Sequence, residues 1–477
     1  MSLQALIDYI SSNADADVRI DSRQVCQDDI FVAIEGTNAD GHDYITQALE
    51  NGATFIVCQK KCDCQKEKIV TVENSATALA ILAQAKYGNP SQKLTNLAVT
   101  GTNGKTSVCF LTRAILKAAG KNCGLVGTIL YDTGSEKQDA PLTTPNAIEI
   151  ARLSRRMVDN GADFLAMEAS SHALEQGRLA TVNFKAAAFT NLTGDHLDYH
   201  KTKENYLAAK TLLFENLSLT STAVLNKQSP ESQYIAKHTK APVLWYAVNE
   251  DADIYADIKS ISIAETVYDL KYKGDRQKVT TSLIGSHNIS NHLAAAGLAL
   301  SAGIDLKTVA KALTDLKAVP GRLETVNSMQ PFSVLVDYAH TDDALKNVLA
   351  TLKPLCKGKL IVLFGSGGDR DKTKRPRMAL QAQTFADSII VTSDNPRTEK
   401  PDSIIADIMT GFTNTEAENI YVEPDRKLAI KHAINSATKD DIVLIAGKGH
   451  ESYQIIGDKK FDCDDRLIAK EALEKLS

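Results

Sequence analysis

At 477 residues, 43% hydrophobic and 24% charged, the chain is long enough for two or three cores and has the composition of a globular protein. A formal net charge of -5 supplies no general attraction to nucleic acid or to an anionic membrane, so neither is expected as a partner. An anionic ligand must therefore be held by a local cluster of donors.

The opening Met1-Ser-Leu-Gln-Ala-Leu-Ile-Asp8 lacks the basic region of a signal peptide, and no apolar run approaches a membrane span. Eight cysteines in so long a chain do not make a disulfide framework. Cys62 and Cys64, near Cys58, lie among Lys60, Lys61, Lys66 and Lys68, which reads as an exposed loop rather than a metal site. A cytoplasmic location is expected.

Residues 1–88 mix short apolar runs, such as Ile30 to Ile34, with turns. They close on a predicted helix over 76–87 and the boundary signal Gly88-Asn89-Pro90. From Leu94 the pattern becomes buried parallel strands alternating with helices. Leu97 to Thr100 reads as a strand, Gly101 to Lys105 as a loop, and Thr106 to Ala119 as a helix with Val108, Leu111 and Ile115 on one face. Further strands are predicted at 164–167, 186–190 and 223–225, and helices at 206–214 and 288–302. Val319-Pro-Gly-Arg322 marks the next boundary. The last third repeats the pattern, with strands at 333–336, 360–364, 388–392 and 442–445, each followed by a polar or glycine-rich cluster. An α/β chain of three domains is predicted, over 1–88, 89–320 and 321–477.

Thr100-Gly-Thr-Asn-Gly-Lys-Thr-Ser107 joins a strand to a helix. Glycines let backbone amides approach phosphate, Lys105 adds positive charge, and the helix N-terminus favours an anion. Only Thr102 and Asn103 separate Gly101 from Gly104, where the familiar phosphate loop has four residues. Glu168 ends a strand, the usual position for a carboxylate holding magnesium beside such a loop. His196 and His200 have the spacing of a zinc pair, but neither the accompanying glutamate nor a third ligand is marked out. Lys210 lies inside an apolar helical stretch, where it is either functional or a lysine reaching along the surface to water.

The C-terminal strand ends carry Phe364 to Arg377, Ser393 to Arg397 and Ala446 to Glu451. Arg370 and Arg397 can clamp carboxylates, while Asp394 and Glu451 can accept from ammonium, a combination that suits a zwitterionic amino acid. A purely structural set of ion pairs is the alternative.

Gly101 to Thr106, Glu168 to His172, Asp195 to Asp198, His287 to Asn291, Pro320 to Arg322, Asp337 to His340 and Asp394 to Arg397 together resemble the Mur ligase motif series, in order and over nearly the whole chain. The resemblance implies three domains, with a P-loop-type central domain and a Rossmann-like C-terminal domain. It implies that ATP activates a D-glutamyl γ-carboxylate as an acyl phosphate, which an incoming amine then attacks. Gly101, Thr102, Asn103, Gly104, Lys105, Thr106, Ser107, Asn288, Arg322 and Asp337 then correspond to ATP contacts. Thr106, Glu168, His196 and a carbamylated Lys210 correspond to magnesium ligands, with Lys105, Lys210 and His196 in the catalytic group. Ile20, Ser22, Thr37, Asn38, Ala39, Thr143, Thr144, Ser170, Gln176 and Arg178 correspond to contacts with a UDP-muramyl dipeptide. Arg370, Asp394, Asn395, Pro396, Arg397, Gly447 and Glu451 correspond to the amino-acid acceptor site. The Asp-Asn-Pro-Arg version of that loop implies meso-diaminopimelate. The rival readings are a lysine-adding member, a folylpolyglutamate synthetase-like ligase and a nucleotide-hydrolysing switch. A monomer acting on small molecules is expected.

Overall fold

Short apolar runs separated by turns pair as a parallel sheet at the start of the chain, in the order β1 (Val18–Arg19), β2 (Ile30–Val32), β3 (Phe55–Cys58) and β4 (Ile69–Thr71). All three residues of β2 are fully buried, as a strand covered on both faces requires. The predicted helix at 76–87 forms as Ser75–Lys86, started by the Asn74 side chain accepting from the Thr77 amide. The computed structural model describes residues 2–36, 39–62, 66–194, 197–326 and 329–476. No described helix is long and apolar enough to cross a membrane.

The chain divides into two compact units, one of residues 1–192, 202–245 and 294–305, the other of 193–201, 246–293 and 306–477. In the first, β5 (Thr95–Thr100) is the middle of a parallel arrangement. One neighbour is β9 (Phe164–Glu168), followed by β6 (Cys123–Val126), and antiparallel β7 (Leu130–Asp132) and β8 (Lys137–Asp139) extend that side. The other neighbour is β10 (Phe184–Phe189), followed by β11 (Thr222–Asn226). Strands β7 and β8 are absent from the sequence reading because they carry no apolar alternation; β8 is wholly exposed. Register fixes where the loops leave this sheet: Val99 stands opposite Glu168 and Thr100 opposite Phe189. The phosphate loop, Glu168 and Thr190 thus emerge at one sheet edge.

In the second unit, the end of β12 (Val243–Val248) pairs with β13 (Ile254–Ile261), and β14 (Thr266–Tyr272) and β15 (Asp275–Thr281) complete an antiparallel ladder. Its buried face is built from Ile254, Ala256, Tyr268, Leu270 and Val279. The sequence reading passes over these strands, since Lys, Asp and Arg interrupt every apolar run. A six-stranded sheet comes next, in the order β16-β17-β21-β18-β19-β20. Its edge strand β16 (Glu324–Val326) is antiparallel; β17 (Ser333–Asp337), β18 (Leu360–Phe364), β19 (Ser388–Val391), β20 (Ile420–Val422) and β21 (Ile442–Ala446) are parallel. A hairpin of β22 (Tyr453–Ile456) and β23 (Lys459–Asp462) completes the strands. Parallel strands dominate, giving the α/β class that the sequence predicts.

Two buried polar groups lock the second unit. Arg426 and Asp465 are both fully buried and bidentate at 2.8 and 2.6 Å, and the same guanidinium donates to the carbonyls of Ser393 and Ala446. His292, also fully buried, shares a 2.9 Å hydrogen bond with the Tyr268 hydroxyl.

Asp465→Ala leaves the Arg426 charge uncompensated and is expected to cost about 3–5 kcal/mol in urea unfolding, much of it recovered in an Arg426→Met/Asp465→Leu pair. Burial lowers His292 from 6.5 to about 3. The unfolded chain thus takes up this proton first as pH falls, and stability declines from about pH 6.5 down to about 3. The slope is about 1.4 kcal/mol per pH unit for this single proton. Urea titrations between pH 7.5 and 5 should show a shallower decline in His292→Phe.

Candidate active site

The phosphate loop is held from three sides. Gly101 has φ +146° and Gly104 φ +91°, conformations that glycine adopts without strain. Thr102 N donates to the Asn191 carbonyl, Asn103 N to Asn191 Oδ1, and the Thr190 hydroxyl to the Asn103 carbonyl at 2.6 Å. A Cβ at Gly101 would overlap Thr190 Oγ1. Lys105, at the first turn of the helix Lys105–Ala118, donates to the carbonyls of Gly101 and Thr102 at 2.8 Å each. Thr106 and Ser107 are buried just behind it. The role of Thr190 and Asn191 as the loop's brace is invisible in sequence, where they are only the residues after a strand.

Lys210 does not reach to water. It is 1% exposed, donates to the Gly101 carbonyl at 2.9 Å and sits 4.2 Å from the centre of the Tyr206 ring. Two lysine ammonium groups therefore converge on one carbonyl of the loop.

Glu168 anchors a second network at the same edge. Its carboxylate accepts from the Thr128 amide and hydroxyl at 2.8 and 3.0 Å, and Thr128 Oγ1 lies 3.0 Å from Thr143 Oγ1. The Thr144 hydroxyl donates to the Glu168 carbonyl and accepts from the Ser170 amide. Arg178 donates to the Thr144 carbonyl and, through two nitrogens, to Gln176. Thr143, Thr144, Ser170, Gln176 and Arg178, predicted from separate stretches, thus form one connected set around Glu168. A Cβ at Gly127 would overlap Glu168 Oε1, so glycine leaves room for that buried carboxylate. The Thr106 hydroxyl and Glu168 carboxylate are hard oxygen donors, the type that magnesium takes.

In the second unit the C-terminal strand ends gather the residues predicted to form the acceptor site. Arg397 adopts φ +52°, and its Nη1 donates to the Gly368 carbonyl at 2.8 Å. A Cβ on Gly367 would lie 3.0 Å from that nitrogen and 3.8 Å from Arg370 Cγ, so both arginines border this glycine turn. Exposed Arg370 donates to the Asp369 carbonyl. Pro396 is buried, and a Cβ on Gly368 would overlap its carbonyl. Asn395 Nδ2 donates to Glu451 Oε2 at 2.8 Å. Gly447, at φ +115°, leaves room for Asp394 Oδ2, which would lie 2.8 Å from a Cβ there. Burial opposes ionisation of Asp394, but the Arg426 and Lys448 cations outweigh it and hold the carboxyl below its ordinary range. The sequence reading missed Arg426, Asp465 and Lys448 because a buried charge looks like a surface charge until packing is known. It also missed Arg375, fully buried against Glu399 and Asp407.

The remaining predicted ATP contacts lie in this unit too. Asp337 accepts from the amides of Leu323 and Ala339, and burial raises its carboxyl despite Arg322. The Arg322 guanidinium stacks 4.8 Å from the Tyr338 ring centre. Asn288 Nδ2 donates to the Ile284 carbonyl at the start of the helix Ser286–Ser301. In the first unit, Ser22 donates to Gln47, Ile20 is 38% exposed, and the Ala39 carbonyl accepts from the Gly36 amide. Thr37, Asn38, Cys64, Asp195 and His196 lie outside the described residues. His200 is buried, with its ring edge-on to Tyr199.

Parallel sheets with a glycine-rich loop at a strand end and loaded loops at a second sheet edge define a nucleotide-using multidomain α/β enzyme. Three family models match: the Mur ligase family catalytic domain at residues 16–87, the Mur ligase middle domain at 99–299 and the Mur ligase glutamate ligase domain at 321–449. The chain is 44% identical, over 96% of its length and 94% of the relative's, to the UDP-N-acetylmuramoyl-L-alanyl-D-glutamate--2,6-diaminopimelate ligase of Bacillus velezensis. A solved structure with the same ligase name is 32% identical, with a TM-score of 0.70 over 96% of this chain and 94% of that one. The Thermotoga maritima MurF ligase, solved with ADP, shares the fold at 20% identity and a TM-score of 0.63, over 97% of this chain and 99% of that one. The chain belongs to the Mur ligase family. It is an ATP-dependent ligase.

Gly101→Ala is expected to displace the loop from Thr190, to weaken ATP binding at least tenfold, read by nucleotide titration, and to lower the thermal midpoint through the same clash and backbone strain.

Proposed function

We propose that this ligase joins meso-2,6-diaminopimelate to the D-glutamyl γ-carboxylate of UDP-N-acetylmuramoyl-L-alanyl-D-glutamate, the MurE-type step of peptidoglycan precursor synthesis. The observation that carries the assignment is the acceptor cluster, in which Arg397 and Arg370 border one turn while Asp394 and Glu451 lie on the adjoining strand ends. Diaminopimelate differs from lysine by a distal carboxylate, for which an arginine edge is the natural partner. The relatives bearing this ligase name support the same acceptor.

The reaction passes through an acyl phosphate. A γ-carboxylate oxygen attacks the terminal phosphorus of ATP, the bond to the bridging oxygen breaks and ADP leaves. The acceptor amine, having lost its ammonium proton, adds to the activated carbonyl. The tetrahedral intermediate then collapses to the amide and releases phosphate. The amides of 101–107 and Lys105 hold the nucleotide phosphates and stabilise charge on the transferred group, while Asn288, Arg322 and Asp337 contact the rest of ATP. Thr143, Thr144, Ser170, Gln176 and Arg178 hold the muramyl dipeptide, and Ile20, Ser22, Thr37, Asn38 and Ala39 its uridine end. Magnesium, held by Thr106, Glu168, His196 and Lys210 as its carbamate, would neutralise phosphate charge. The protein acts as a cytoplasmic monomer with three functional regions, 1–88, 89–320 and 321–477.

An ADP-release assay with each substrate omitted in turn tests this reading: release is expected only when muramyl dipeptide nucleotide and diaminopimelate are both present. Release without them would indicate a simple nucleotide hydrolase. Arg397→Ala is expected to lower kcat/KM for diaminopimelate by at least a hundredfold and to leave the KM for ATP unchanged; an unaltered amino-acid preference would remove Arg397 from the acceptor site.

A further inference from the structure

We infer that Lys448 is a positioning residue of the acceptor site, orienting Glu451 and tilting the site's charge toward an amino acid with two carboxylates. The inference rests on the reaction proposed above and deepens it.

Lys448 is fully buried, although it lies in a glycine-flanked loop at a strand end. Its ammonium donates to Glu451 Oε2 at 3.0 Å and to Asn395 Oδ1 at 3.2 Å, 5.6 Å from the centre of the Tyr453 ring. A buried cation is costly unless its hydrogens are accepted, so these two oxygens are constrained to face it. Asn395 Oδ1 also accepts from the Ile455 amide, which leaves its Nδ2 directed at Glu451 Oε2. Both side-chain donors therefore land on the same glutamate oxygen. Oε1 is left to accept from a ligand ammonium, and the carboxylate cannot rotate without breaking two bonds.

The same geometry has a consequence for charge. Asp394 and Glu451 are set against Arg370, Arg397 and Lys448, while Arg426 is matched by Asp465. With Lys448 the acceptor cluster carries one more positive charge than it would without it. Diaminopimelate has two ammonium and two carboxylate groups and is neutral overall, whereas lysine is a cation. Lys448 thus makes the site less hospitable to lysine from inside the protein, with no contact to the distal carboxylate that distinguishes the two.

The experiment compares Lys448→Met, Lys448→Gln, Glu451→Gln and Lys448→Met/Glu451→Gln, with diaminopimelate, lysine and ATP each varied. Lys448→Met is expected to raise the KM for diaminopimelate at least tenfold, to leave the KM for ATP unchanged, and to lower the diaminopimelate-to-lysine ratio of kcat/KM at least tenfold. Lys448→Gln, which retains a donor without the charge, should keep most of kcat yet lose the same discrimination. The double variant should raise the KM for diaminopimelate no more than Glu451→Gln alone, because Lys448 orients the site through that carboxylate. Unchanged discrimination in the glutamine variant, or additive increases in the KM for diaminopimelate in the double variant, would overturn the inference. Should Lys448→Met not fold, the glutamine variant carries the test by itself. Failure of the unsubstituted enzyme to use diaminopimelate would instead defeat the proposed reaction.

Discussion

The register of three adjacent parallel strands is the constraint from which the proposed nucleotide site grows. With β5 between β9 and β10, the chain must leave the sheet at Gly101, Glu168 and Thr190 along one edge. The phosphate loop, Glu168 and the Thr190–Asn191 brace all lie at those exits. The loop approaches Thr190 so closely that only glycine fits at 101, and the carbonyl exposed by that turn is taken by Lys105 and Lys210. A one-residue slip of β5 would turn its buried side chains to the opposite face and remove this arrangement.

The proposed acceptor side uses a different device. Its loops come after β18, β19 and β21, and loops at strand ends are mobile unless something ties them down. Here the ties are buried charges. Arg426 holds the carbonyls at the ends of β19 and β21, Lys448 joins Asn395 to Glu451, and Arg375 secures Gly367 through its carbonyl while paired with Glu399. Each guanidinium or ammonium is costly to bury, and each offsets that cost by satisfying several acceptors in a fixed geometry. The result is a rigid scaffold on which Asp394, Arg397 and Glu451 are presented.

On the proposed assignment, substrate chemistry accounts for why the two sides are built so differently. A triphosphate is uniformly anionic and is met by backbone amides and a helix start, which need only glycine and a lysine. An amino acid carries both signs close together, so its site needs opposed charges held apart. That demands a supporting layer of buried ion pairs.

What the sequence determined by itself is considerable. The phosphate loop, the parallel strands and the Asp394 to Arg397 loop were legible because each is local: a glycine spacing, an unbroken apolar run, or a short motif after a strand. The ladder of β13 to β15 was not, since its alternation is broken by charges whose partners lie on the neighbouring strand, such as Lys259 with Asp269. Only the tertiary structure decided that Thr190 and Asn191 brace the loop, that Lys210 turns inward, and that Arg426 and Lys448 are buried. Those facts depend on residues far apart in the chain coming within hydrogen-bond reach. A charged side chain looks the same in sequence whether water or a carboxylate surrounds it; its surroundings are fixed by packing alone.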